Sequence, residues 1–204
     1  MLVLTRRYIL TTKELIYQKS LELFSEHGYS SFGMRDLAKH VGIRASSIYN
    51  HYKSKEDILL EIGHTLIAKM QQDVYPLFKQ THLPPRTFFE NISLKTNEFF
   101  ERDDINQLTS ILIPEQFHSP TLRILLHAEF IIKPRTAFTY YFDSLIKKGL
   151  MKELDAKLAA KLYHSFFVYH FYEKYLSENP TGFLTKDIDL FKHHIKLFLD
   201  YVKL

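Results

Sequence analysis

An all-α fold is predicted by three properties of the sequence. Apolar residues return at helical spacing in segment after segment, no stretch alternates apolar and polar residues between turn signals, and glycine occurs only six times in 204 residues. Hydrophobic residues make up 46% of the chain and charged ones 25%, the balance of a globular protein. A chain of this length, one large or two small domains, can bury roughly 70% of its unfolded surface and needs no disulfide or metal staple. It has no cysteine, which removes disulfides and thiolate metal ligands. The opening MLVLTRRYILTTKE has too short an apolar run for a signal peptide, and no window reaches the ~18 uninterrupted apolar residues of a spanning helix. The expectation is a cytoplasmic protein with no membrane partner.

The net charge of +4 is unevenly placed. Residues 1–55 carry nine Lys and Arg against four acids, whereas residues 56–204 carry eighteen against nineteen. All the excess positive charge lies in the first quarter of the chain, which favours a polyanion as the partner of that end.

That quarter reads as three helices. Thr11 and Glu14 have capping-box spacing, Ile16, Ser20, Leu23, Phe24 and His27 then share one face, and Gly28 can end the helix, giving a span near 12–27. Met34, Leu37, Ala38 and Val41 mark a second, short helix closed by Gly42. A third follows almost at once over Ala45–Tyr52, the pattern of a helix-turn-helix. In it Ile48 and Tyr52 are spaced to pack inward against Leu37 and Phe24, leaving Ala45, Ser46, Tyr49 and Asn50 on the outer side. Small residues let such a helix approach a groove closely, and Tyr and Asn can reach base edges and phosphates. Ser54 and Asp57 signal the start of a long fourth helix, and lysines beside it suit phosphate contacts.

The run FSEHGYSSFGMRDLAKHVGIRASSIYNHYKSKEDILLEI resembles the DNA-binding domain of the TetR family of transcriptional regulators. The likeness rests on Phe24, Gly28-Tyr29, the block from Met34 to Ala38, Val41-Gly42-Ile43, Ile48-Tyr49, His51-Tyr52 and Lys53-Ser54-Lys55-Glu56, in register without a gap. It implies that Arg35 touches DNA from the second helix, that Ala45, Ser46, Ser47 and Tyr49 face the major groove, and that His51 and Lys55 lie on phosphates. Three positions depart from the family pattern. Phe32-Gly33 stands where hydroxyl residues usually cap the second helix, although Gly33 can still cap. Arg44 replaces a capping Ser or Thr, which implies a start of the third helix at Ser46 or Ser47; Ser46 itself replaces a frequent Gly or Pro. Arg6 and Arg7 fit either a minor-groove arm or a flexible tail over residues 1–10.

Helices are expected over 55–79, 86–101, 104–112, 120–131, 134–148, 155–177 and 185–203, about nine or ten in all, with breaks at Thr81–Pro85 and Asn179–Gly182. The domain reading is a helix-turn-helix domain over 1–55 and a helical ligand-binding and dimerisation domain over 56–204. Ile188, Phe191, Ile195, Phe198 and Val202 step by three and four residues, a seam for a partner helix. The segment from Leu162 to Leu176 is apolar around most of its circumference, so Leu162, Phe166 and Tyr169 join those residues as the expected dimer interface. The alternative is a monomer core; the resemblance implies a homodimer through a four-helix bundle.

Phe89, Phe100, Phe117, Phe130, Phe138, Phe142, Tyr163 and Phe167 admit two readings, core filling or the walls of a cavity for an apolar or aromatic small molecule. The resemblance implies the cavity, with His127, Glu129 and His164 as candidates to orient its ligand. No cofactor and no metal site is expected: His164 and His170 are six apart and His193 and His194 adjacent, so neither pair shares a helix face as i, i+4 ligands do. Glycine-rich phosphate loops and a nucleophile elbow are absent, so an enzyme is not expected. The reading is a ligand-responsive, one-component transcriptional repressor that binds a palindromic operator as a homodimer and is released by a small molecule. The rival is a helical carrier or sensor of apolar ligands without sequence-specific DNA binding.

Overall fold

The computed structural model describes residues 10–176 and 188–204. Arg6, Arg7 and the expected break at Asn179–Gly182 lie outside them. The described residues are helical, with no strand among them. The chain divides into two compact units, one of residues up to His64 with Gln107–Leu122, the other of Thr65–Asn106 with Arg123–Leu204.

The first unit is built on α1 (Thr12–His27), α2 (Met34–Val41) and α3 (Ala45–Tyr49), with the start of α4 (Lys55–Asp73) and part of α6 (Asp103–Glu115). Each boundary has a local cause. Thr11 and Glu14 close a full capping box on α1. Gly33 caps α2 with its backbone N–H donated to the Asp36 carboxylate at 3.0 Å. α2 ends on Gly42 at φ 81°, a left-handed conformation that glycine adopts without steric cost. Ser54 and Asp57 cap α4 reciprocally. Helix α3 begins at Ala45, not at Ser46 or Ser47: Arg44 holds the cap position through its backbone carbonyl, which accepts from the Ser47 N–H at 2.9 Å, with no side-chain cap. Ile16, Leu23, Phe24, Leu37, Ile48 and Tyr52 are buried together in this unit.

The second unit contains α5 (Pro85–Glu101), the end of α7 (Pro120–His127), α8 (Lys133–Lys147), α9 (Ala156–Leu176) and α10 (Ile188–Val202), with a 3-10 turn at Tyr75–Lys79 in place of the expected continuation of the fourth helix. Helices α7 and α8 were expected to be separate. They are joined without a break by one π-helical turn, Ala128–Ile132, in which the Lys133 N–H reaches back to the Ala128 carbonyl. Phe88, Phe89, Tyr141, Phe142 and Tyr163 form the heart of the core, with ring centroids 4.0 Å apart for Phe88–Tyr141 and 4.7 Å for Phe89–Tyr163. Tyr163 is fully buried and its hydroxyl pairs with that of Ser93 at 2.8 Å, so its polar end is satisfied. Among the described residues, no helix is long and apolar enough to cross a membrane.

Candidate DNA-reading surface and ligand cavity

Helix α3 carries one buried residue, Ile48, and presents Ala45, Ser46, Tyr49 and Asn50 to solvent, with Ser47 half-buried. Arg35 and His51 are exposed as well. All eight expected DNA contacts are therefore at least partly accessible along one short helix and its neighbours, backed by buried Ile48 and Tyr52, with Ser47 and Lys55 half-buried. Lys55 is the correction. Its ammonium donates to the carbonyls of Tyr29 and Phe32, both at 2.8 Å, and lies 4.1 Å from the Tyr29 ring centroid. Burial lowers its pKa, and burial likewise pushes the Tyr29 hydroxyl up to about 12, helped by Glu115 and Glu56. Lys55 thus ties the turn between α1 and α2 to the start of α4. Lys53 is the exposed lysine there.

The second unit holds a partly open cavity of about 110 Å³, several times the ~10–15 Å³ a single water needs. Of the eight expected lining residues, Phe100, Phe130, Phe138 and Phe167 are on its wall. Phe89, Phe142 and Tyr163 belong instead to the packed core, each fully buried against other rings, and Phe117 is 71% exposed in the other unit. Core and lining aromatics cannot be told apart by spacing, since both lie on the inner faces of the same helices. The wall also takes in Met70, Val74, Tyr75 and Phe78 at and after the end of α4, Ile131 on the π turn, and Phe171 on α9. These had no signal beyond apolar character.

The polar groups of this region fall into two sets. Glu129 on the π turn is buried but satisfied: Tyr75 donates its hydroxyl to the carboxylate, and Lys133 pairs with it. Burial and this carboxylate raise the Tyr75 pKa well above the usual phenol value. The hydroxyl of Thr96 and the Nδ1 of His164, both in lining residues, are buried without a hydrogen-bond partner among the described residues. Burial, and then the charge of Arg135, lower the His164 pKa to about 4, so the ring is neutral at pH 7. His127, the third candidate, is exposed and not on the wall.

The expected dimer seam also needs correction. Phe191, Ile195, Phe198 and Val202 are buried within their own chain, so that face of α10 is the core face. The outward apolar residues of α10 are Ile188, Leu190, Leu197 and Tyr201, and those of α9 are Leu158, Leu162 and Tyr169. Leu190, Leu197 and Tyr201 fall at i, i+7 and i+11, one helix face, as do Leu158, Leu162 and Tyr169 at i, i+4 and i+11. Phe166 is half-buried, stacked on His194 at 3.9 Å.

Residues 16–62 match the family model described as bacterial regulatory proteins, tetR family. The HTH-type transcriptional regulator YhgD of Bacillus subtilis is 28% identical over 152 residues, 72% of this chain and 76% of that protein. Among solved structures, SmeT in complex with triclosan covers 93% of this chain and 90% of its own with a TM-score of 0.72 at 16% identity; SmeT is the repressor of a Stenotrophomonas maltophilia multidrug efflux pump. AibR, in complex with isovaleryl coenzyme A and operator DNA, covers 93% of this chain and 97% of its own with a TM-score of 0.65 at 16% identity. At such identities the structural likeness speaks for the fold.

Proposed function

We propose that this chain is a one-component transcriptional repressor of the tetR type, a reading supported by the match of residues 16–62 to that family model and by a fold shared with SmeT. It works in the cytoplasm as a homodimer on a roughly palindromic operator, with half-sites about 34–36 Å apart or somewhat more. The observation that carries the reading is α3, a short helix anchored by Ile48 with Ala45, Ser46, Tyr49 and Asn50 outward, in the basic quarter of the chain. Arg35, His51 and Lys53 supply backbone contacts, while Lys55 acts structurally. Two-fold pairing uses the outward apolar faces of α9 and α10, Leu158, Leu162 and Tyr169 with Leu190, Leu197 and Tyr201.

The cavity is the effector site. SmeT with triclosan and AibR with isovaleryl coenzyme A supply precedent on the same fold, each for its own ligand. A bound small molecule releases DNA to the extent that it prefers the DNA-free state over the DNA-bound one. The test is Tyr49→Ala on the full chain. It should weaken operator binding roughly tenfold or more, in the range of a lost base or phosphate contact, with the dimer unchanged in sedimentation. Unchanged affinity would overturn the role given to α3.

A further inference from the structure

We propose that the cavity takes an amphipathic organic anion: an aromatic or aliphatic body ending in a carboxylate. The inference deepens the effector-site reading and rests on it. The body follows from the walls, where Phe100, Phe130 and Phe171 stand together with centroids 4.8–6.1 Å apart. The head group follows from what the walls leave unpaired. Thr96 offers a buried hydroxyl and His164 a buried ring nitrogen, neither with a partner among the described residues, and an unpaired buried polar group carries a desolvation cost that a ligand atom can relieve. Both can donate to a carboxylate oxygen while themselves neutral, His164 when its proton is on Nδ1.

The sign of the charge comes from the neighbours. Arg135 is half-buried on α8, next in sequence to lining Pro134; its Nε is buried without a hydrogen-bond partner among the described residues, and its charge reaches His164. Among the described residues no acidic side chain lines the cavity, and Glu129 is already held by Tyr75 and Lys133. An incoming cation would meet the field of Arg135 with only ring faces and neutral side chains such as Thr96 and Asn97 to offset it, whereas an anion gains a charged partner.

Three matched probes test this on the full chain by calorimetry without DNA: naphthalene-2-carboxylate, naphthalene-2-carboxamide and naphthalen-2-ylmethylammonium. The carboxylate should bind roughly tenfold or more tighter than the ammonium, with the amide between. Arg135→Gln should remove most of the advantage of carboxylate over amide, Arg135→Lys should retain part of it, and Thr96→Val should weaken both. An ammonium that binds as tightly as the carboxylate, an advantage that survives Arg135→Gln, or no binding by any of the three would overturn the proposal. A carboxylate that binds as expected yet leaves operator affinity unchanged would support this ligand class and sink the effector reading instead.

Discussion

Helices α3 and α10 are both amphipathic by pattern, and they differ in what their second face does. In α3 a single apolar residue, Ile48, is buried and the rest of the helix is polar or small, so one face packs and the other is free for a groove. In α10 two faces are apolar: Phe191, Ile195, Phe198 and Val202 fill the core, while Leu190, Leu197 and Tyr201 point outward. A helix with one apolar face declares its orientation. One with two does not, because periodicity cannot say which stripe meets its own chain and which a partner.

The largest expected effect separates the two units by their forces. If the dimer engages 6–10 phosphates, operator affinity should fall by roughly 10³–10⁵ between 50 and 200 mM salt, while binding of an apolar probe in the cavity should change far less. Comparable salt slopes at both sites would break the contrast. Next comes the two-faced helix. Phe198→Ala should cost roughly 3–5 kcal/mol in urea unfolding, whereas Leu197→Asp should leave the fold in place and turn dimer into monomer by sedimentation. The reverse outcome would restore the seam expected from the sequence.

His164 gives a pH-dependent effect. Its folded pKa of about 4 lies below the ordinary 6.5, so the unfolded chain binds the extra proton between those values. This contribution to stability is complete above pH 6.5 and is lost as pH falls toward 4, by up to about 3 kcal/mol. His164→Phe should flatten the stability profile across that window; an unchanged slope would place the ring in water. The smallest effect is at the surface. Arg102 pairs with Asp73 at 2.6 Å and with Asp104 at 2.9 Å, and hydrogen bonds from Arg102 and Lys69 hold the Asp104 carboxyl at about 2. Because these groups are largely exposed, Arg102→Ala should cost less than about 1 kcal/mol in urea unfolding at pH 7. A loss of several kcal/mol would contradict this.

What was legible in the sequence was local. The capping boxes at Thr11–Glu14 and Ser54–Asp57, the glycine closing α2 and the polar face of α3 all depend on residues within one or two turns of each other. What was not legible depended on distant partners. Lys55 looks like a phosphate contact until the carbonyls of Tyr29 and Phe32, more than twenty residues earlier, are seen to hold it. Phe142 and Phe138 sit one turn apart on α8, yet only Phe138 reaches the cavity, because Phe142 is covered by Phe89 and Phe198. The π turn at Ala128–Ile132 had no signal either; Pro134 suggested a new helix, whereas it follows the turn within a continuous one.

The most direct test of the account is in-vitro selection from a random duplex library at about 150 mM salt, followed by titration of the winner. An enriched inverted repeat is expected, with binding lost in Tyr49→Ala and weakened by a cavity ligand. Salt-sensitive binding with no enriched sequence would contradict it.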